Sequence, residues 1–210
     1  MPPSPSIRLA VLASGGGTTL QNLIDRSADG RLAAEVVLVV ASKPGIGAIA
    51  RAEHAGIPVK VLDRKALGRA GFADRAFEVV RAAGADLVVL GGFLYLLDIP
   101  SDFYLKVINI HPALIPAFCG KGYHGHAVHQ AAIDYGVKLA GCTVHFADAT
   151  YDTGPILVQK AVPVLDDDTV DTLAARVFQA ECEALPEAIQ LIAEGRIQVL
   201  GRQVRRRDPH

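Results

Sequence analysis

Four short runs of aliphatic and β-branched residues, the first three each followed by a stretch with helical spacing and the fourth by a glycine turn and an apolar bend, leave few folds open to this chain. They cover residues 7–13, 35–41, 57–62 and 86–90. The second, Glu-Val-Val-Leu-Val-Val-Ala, is almost continuously apolar, as a parallel strand covered on both faces must be. Residues 46–55, stopped by Gly56, and residues 72–83, with Phe72, Ala76, Val79 and Val80 on one stripe, read as helices between them. Strand and helix in alternation at short spacing predict right-handed βαβ units and an α/β, Rossmann-like, doubly wound, mostly parallel sheet. At 210 residues, half of them hydrophobic and a fifth charged, the chain can bury such a sheet as one large domain.

A fifth strand, 107–111, reads Val-Ile-Asn-Ile-His and is ended by Pro112. Asn109 and His111 lie two apart, so a strand puts both side chains on one face, and the carboxyl end of such a strand is where open α/β sheets bind ligands. The pattern then changes. A glycine-rich loop (120–125), a helix (127–134) and two strands (139–146 and 155–162) close enough to pair antiparallel form a C-terminal extension. Residues 148–154 form the loop between those strands, and its Asp152 can bring a carboxylate to His111, favouring the imidazolium and fixing the ring. A long amphipathic segment, 169–193, is expected to break or kink near Pro186, and residues 197–200 to add an edge strand. Residues 1–6 read as a disordered leader and 202–210 as a solvated basic tail.

Ser14-Gly15-Gly16-Gly17-Thr18-Thr19 joins the first strand to a helix, where free backbone N–H groups make a seat for phosphate. It lacks the Gly-Lys-Ser/Thr ending of a P-loop, and Leu20 stands at the third glycine position of a dinucleotide fingerprint. A phosphate-bearing small molecule suits it better than a dinucleotide or nucleoside triphosphate. A glycine turn serving only tight packing is the alternative. His124, His126 and His129 crowd six positions, but no acid or thiol nearby completes a metal set, so no metal is expected. Cys119, Cys142 and Cys182 form no C-x-x-C pair, which fits a reducing cytoplasm. The net charge of −1 gives no footprint for nucleic acid, and no apolar run suits a bilayer.

Asn109-Ile-His111-Pro112-Ala-Leu-Ile-Pro116, Gly141-Cys-Thr143-Val-His145-Phe146 and Tyr151-Asp152-Thr-Gly154-Pro155-Ile156 together resemble the folate-dependent formyltransferase family. The likeness runs from Ser14 to Pro186 and implies one formyltransferase domain, its phosphate-binding part at 7–111 and its folate and catalytic part at 112–201. It implies formyl transfer from 10-formyltetrahydrofolate, a co-substrate, to the amine of glycinamide ribonucleotide in purine synthesis, by a monomer or homodimer needing no metal. Asn109, His111 and Asp152 fall on the family's catalytic trio, with Asn109 and a protonated His111 as oxyanion donors. Gly17, Thr18 and Thr19 fall on its substrate-phosphate loop, and Glu181 on the acid that contacts the acceptor. Leu94, Tyr95, Leu96, Leu97, Val107, Ala147 and Asp148 fall along its folate groove. Tyr95 stands where the family commonly has Arg, Thr18-Thr19 where Ser-Asn is common, and Cys182 where His is usual. These departures keep another amine acceptor, such as an aminosugar nucleotide, as the alternative substrate; the alternative class is a non-catalytic nucleotide-binding module, which would keep the glycine loop but need not keep Asn109, His111 and Asp152 together.

Overall fold

The computed structural model describes residues 6–207. Backbone contacts divide the chain after Ile108, inside a strand, into two compact units; the sequence pattern places the change of character after His111.

In the first unit, β1 (Ile7–Ala13), β2 (Ala34–Ala41), β3 (Val59–Val61) and β4 (Leu87–Leu90) alternate with α1 (Thr18–Ala28), α2 (Gly47–His54) and α3 (Arg64–Ala82). β1 pairs in parallel with β2 on one side and β4 on the other, and β2 with β3. The central strands are apolar on both faces: Leu9, Val11, Val39, Val40, Val88 and Val89 are all buried. The Val88 N–H donates to the Lys106 carbonyl, 2.8 Å away, which sets the start of β5 (Val107–His111) beside β4.

Two elements of this unit differ from expectation. β3 is three residues long rather than six, as befits a strand at the sheet's edge. α3 starts eight residues early because the Asp63 carboxylate accepts from the Lys65 and Ala66 N–H groups and caps a first turn. Gly68, at φ +69°, then breaks the helical path before the stripe of Phe72, Ala76 and Val80 takes over.

In the second unit β5 continues, followed by α4 (His126–Tyr135), β6 (Leu139–Phe146), β7 (Ile156–Pro163) and α5 (Val170–Ala193). β6 and β7 pair antiparallel, and the strand order of the seven-stranded sheet is β3-β2-β1-β4-β5-β6-β7. α5 runs through Pro186 as one 24-residue helix instead of breaking there. Proline removes one backbone donor and costs about 3 kcal/mol in a helix interior. Ala184, Leu185, Pro186, Ala188 and Ile189 are all buried, and burying side chains of the size of Leu and Ile stabilises by about 1.5–3 kcal/mol each. Packing therefore outweighs propensity.

Arg202, Arg205, Arg206 and Arg207 are exposed, as expected of a solvated basic segment, but the expected edge strand and part of that tail are ordered together. β8 (Ile197–Leu200) and β9 (Gln203–Arg206) form a separate antiparallel hairpin, turned at Gly201 with φ +61°. Arg206 Nη1 lies 2.9 Å from Glu187 Oε1 on α5, so this cation is paired to the helix. Residues 1–5 of the proposed leader and 208–210 of the proposed basic tail lie outside the described residues.

Candidate active site

β5 delivers Asn109 and His111 on one face, as the two-residue spacing requires. The side chain facing them comes from the loop between β6 and β7. Asp152 sits there at φ +58°, a left-handed conformation that Asp tolerates better than most residues. The loop is tight. A Cβ on Gly154 would lie 1.8 Å from the Phe146 carbonyl oxygen, so only glycine lets the chain pass there. Asp148 holds the loop from inside, accepting from the Thr150 N–H at 3.1 Å and the Thr153 hydroxyl at 2.8 Å.

His111 is 4 % exposed and held on both sides. Its Nε2 lies 2.9 Å from the Phe118 carbonyl, which can only accept, so Nε2 carries the proton. Nδ1 then faces Asp152 Oδ2 at 3.6 Å. Burial pulls the imidazole below its ordinary pKa, against the opposing pull of the Asp152 charge and the Phe118 carbonyl. Burial thus favours the neutral ring, while the carboxylate facing Nδ1 favours the imidazolium. Against the imidazolium expected from the Asp152 charge, desolvation is the larger influence on the ring. For Asp152, burial acts to raise the pKa, but contacts from His145, His111 and the Gly120 N–H at 2.9 Å together hold it below the ordinary value.

His145 is the group the sequence reading passed over. It is 2 % exposed, its Nδ1 lies 2.9 Å from the Phe146 carbonyl, and its Nε2 lies 3.2 Å from Asn109 Nδ2 and 3.5 Å from Asp152 Oδ1. Asn109 Nδ2 also donates to Asp152 Oδ1 at 3.4 Å. Thr143, two residues before His145 on buried β6, donates to the Ala113 carbonyl at 2.7 Å and accepts from the Ile115 N–H at 3.1 Å. Gln159 of β7 donates to the Ile115 carbonyl at 3.0 Å. These bonds tie down the segment that ends in Phe118, whose carbonyl holds His111. Polar Thr143 and His145 alternate in an otherwise apolar strand, the same period-two signal that singled out Asn109 and His111. The Phe118 carbonyl and Gly120 N–H are backbone groups with no sequence signal.

Also in this unit, burial pushes the Glu181 carboxyl on α5 up to about 7 and the Cys142 thiol up to about 12. Ala147 and Asp148 are partly exposed at the base of the Asp152 loop. His124 and His126 are exposed while His129 is buried, and no cluster of three or more metal-ligating side chains occurs among the described residues.

In the first unit, Gly17 takes φ +77° as the residue before α1, and a Cβ there would meet Ala48 Cα at 2.7 Å. Glycine is thus required both for the left-handed turn and for the approach of α2. The N–H groups of Thr18 and Thr19 lie in the first turn of α1, where no helical acceptor exists. The buried Ser14 hydroxyl accepts from the Leu94 N–H at 3.4 Å and from Ser42 Oγ at 3.0 Å, joining the glycine loop to the turn after β4.

Of the groove residues in this unit, Leu94 is 48 % exposed and Tyr95 and Leu96 are partly exposed. Leu97 and Val107, at 3 % and 1 %, are core side chains, leaving only their backbone to meet a ligand. The Tyr95 ring carries the Arg64 guanidinium 5.3 Å from its centroid and packs edge-on against Phe93.

Residues 7–189 match the family model described as formyl transferase. The chain is 41% identical over 196 residues to the trifunctional purine biosynthetic protein adenosine-3 of Gallus gallus, matching 92% of this chain but only 19% of that protein. It therefore spans about a fifth of the length of such relatives. It is 39% identical over 194 residues to the chloroplastic phosphoribosylglycinamide formyltransferase of Arabidopsis thaliana, covering 90% of this chain and 66% of that one. Among solved structures, glycinamide ribonucleotide transformylase 1 from Symbiobacterium toebii superposes with a TM-score of 0.90 at 41% identity, over 97% of this chain and 95% of the other. The chain belongs to the formyl transferase family.

Proposed function

We propose that this chain transfers the formyl group of 10-formyltetrahydrofolate to the amine of glycinamide ribonucleotide, a step of purine synthesis. The observation that carries the reading is His111 held between two acceptors, the Phe118 carbonyl 2.9 Å from Nε2 and the Asp152 carboxylate 3.6 Å from Nδ1, with burial favouring the neutral ring that can take up a proton. The names of the relatives support the choice of substrates.

The substrate amine attacks the formyl carbon, forming the new C–N bond and placing negative charge on the formyl oxygen. Both Asn109 amide hydrogens are spent on long contacts, 3.2 Å to His145 and 3.4 Å to Asp152. Exchanging one of them for the oxyanion costs little and gains a charge-assisted bond. The attacking nitrogen loses a proton to His111 Nδ1, and the resulting imidazolium sits between the Phe118 carbonyl and the Asp152 carboxylate. That proton moves to N10 of the folate as the C–N10 bond breaks, which returns His111 to its neutral form. No covalent enzyme intermediate forms. Asp152 makes the transient imidazolium affordable in a buried site without itself changing protonation.

Gly17, Thr18 and Thr19 offer backbone N–H groups to the acceptor's phosphate. Glu181, poised near pH 7 by burial, accepts from the acceptor's glycinamide end. We assign folate contacts to Leu94, Tyr95 and Leu96 in the first unit and to Ala147 and Asp148 in the second, with the Arg64–Tyr95 stack in place of the arginine common in the family at that position. Cys119, Cys142 and Cys182 form no disulfide, which suits a reducing compartment such as the cytoplasm, and no helix among the described residues is long and apolar enough to cross a membrane. Incubation with 10-formyltetrahydrofolate and either glycinamide ribonucleotide or a panel of aminosugar nucleotides tests the reading. Formylation of the former is expected; exclusive formylation of the latter overturns the choice of acceptor.

A further inference from the structure

The glycine loop is gripped from one side by α2. The Ala48 N–H donates to the Gly15 carbonyl at 3.2 Å, and Arg51 Nε donates to the Gly16 carbonyl at 2.9 Å. In a trans peptide the carbonyl of one residue and the N–H of the next point in opposite directions. With the Gly15 and Gly16 carbonyls drawn toward α2, the N–H groups of Gly16 and Gly17 are turned away from it. Among the described residues neither N–H has a protein acceptor, although Gly17 is buried. Consecutive backbone N–H groups around a left-handed glycine make an anion-binding concavity.

Arg51 is itself fixed. Its Nη1 donates to Gln21 Oε1 at 3.0 Å, and Gln21 Nε2 donates to Asp25 Oδ1 at 2.8 Å along α1. The contact is close because Gly47 has no side chain: a Cβ there would lie 2.8 Å from the Gly16 carbonyl oxygen. We infer that Arg51 is a positioning residue for phosphate recognition, pinning the Gly16–Gly17 peptide so that the Gly17 N–H faces the acceptor's phosphate. Its guanidinium also places a positive charge behind that peptide. Arg51 works from behind the loop, through the backbone, and the inference rests on the reading of the glycine loop as the acceptor-phosphate site.

The test compares glycinamide ribonucleotide with the corresponding ribonucleoside, which lacks the phosphate, in wild type, Arg51→Met and Arg51→Lys. The readout is the ratio of kcat/KM for the phosphorylated over the unphosphorylated acceptor. Arg51→Met is expected to lower this ratio about 10- to 100-fold, the weight of one hydrogen bond to a charged group, through the KM of the phosphorylated acceptor. Arg51→Lys keeps the charge but cannot hold Gly16 and Gln21 together, so its ratio should fall between the two. A parallel loss with both acceptors, or an unchanged ratio in Arg51→Met, overturns the inference.

An independent arm uses inorganic phosphate alone and follows the Gly17 amide resonance. A saturable shift is expected in the wild type, with weaker affinity in Arg51→Met; equal affinity in the two overturns the inference. Because this arm needs no acceptor turnover, it separates a failure of the Arg51 role from a failure of the proposed activity.

Discussion

Replacing Asp152 with Asn keeps the shape of the side chain and removes the charge that faces His111. At the observed 3.6 Å, two unit charges in an effective dielectric of about 20 attract by about 4.6 kcal/mol. Delocalisation over both groups and relaxation reduce this to the ~1–3 pKa units typical of such pairs, or about 1.4–4 kcal/mol. The sign follows from the state of the ring. Burial already holds His111 below its ordinary pKa, and the Asp152 charge is the largest influence opposing that depression. Asp152→Asn therefore lowers the His111 pKa further. If neutral His111 accepts the amine proton, the acid limb of the kcat profile tracks this pKa and moves to lower pH by ~1–3 units. The plateau falls about 10²- to 10⁴-fold, because the imidazolium formed during turnover loses its counter-charge. The assay is a pH–rate profile of both proteins with both substrates saturating, beside a titration of the His111 ring protons. An acid limb that stays in place, or moves upward, refutes the assignment of His111 as the proton acceptor.

Three further outcomes are expected. Gly154→Ala must displace the loop, since its Cβ would meet Phe146 backbone atoms at 1.8 and 2.8 Å; a stability loss of about 1–3 kcal/mol in denaturant melts should accompany a fall in kcat near 10²-fold as Asp152 moves. Glu181 gains its charge as pH rises through about 7, so acceptor KM should fall over that interval in the wild type and stay flat in Glu181→Gln, read from KM measured between pH 6 and 8.5. Thr169→Ala removes the capping box of α5, in which Thr169 Oγ1 accepts from the Thr172 N–H at 3.2 Å, and should cost about 1 kcal/mol in thermal melts with little change in kcat.

The parallel half of the sheet was readable because its strands are buried on both faces and so carry unbroken aliphatic runs, as in β2 and β4. The start of α3 was hidden because a capping carboxylate and a kinking glycine occupy a stretch with no apolar stripe. β9 was hidden because Gln-Val-Arg-Arg resembles a solvated tail until Arg206 meets Glu187 on α5. Pro186 misled for the opposite reason: a local rule lost to burial on both sides of it.

At the site, Asn109 and His111 stood out because polar residues two apart interrupt an apolar strand. His145 obeys the same rule within β6, yet reads easily as one more core position. The protonation state of His111 depends on how completely the fold buries it, and the partners that fix it are a backbone carbonyl at Phe118 and a backbone N–H at Gly120 acting on Asp152. Neither burial depth nor a main-chain contact is written in residue identity. The same holds for Leu97 and Val107, groove candidates by motif whose side chains the core consumes.

The central claim is that His111, set between Phe118 and Asp152, carries the proton in formyl transfer. Its most direct test is a single-turnover measurement of formyl transfer from 10-formyltetrahydrofolate to glycinamide ribonucleotide by His111→Ala, with the binding of both substrates measured separately. Transfer slowed by roughly 10²-fold or more, with both substrates still bound, is the predicted result. Transfer at the wild-type rate from a fully loaded His111→Ala protein would contradict it.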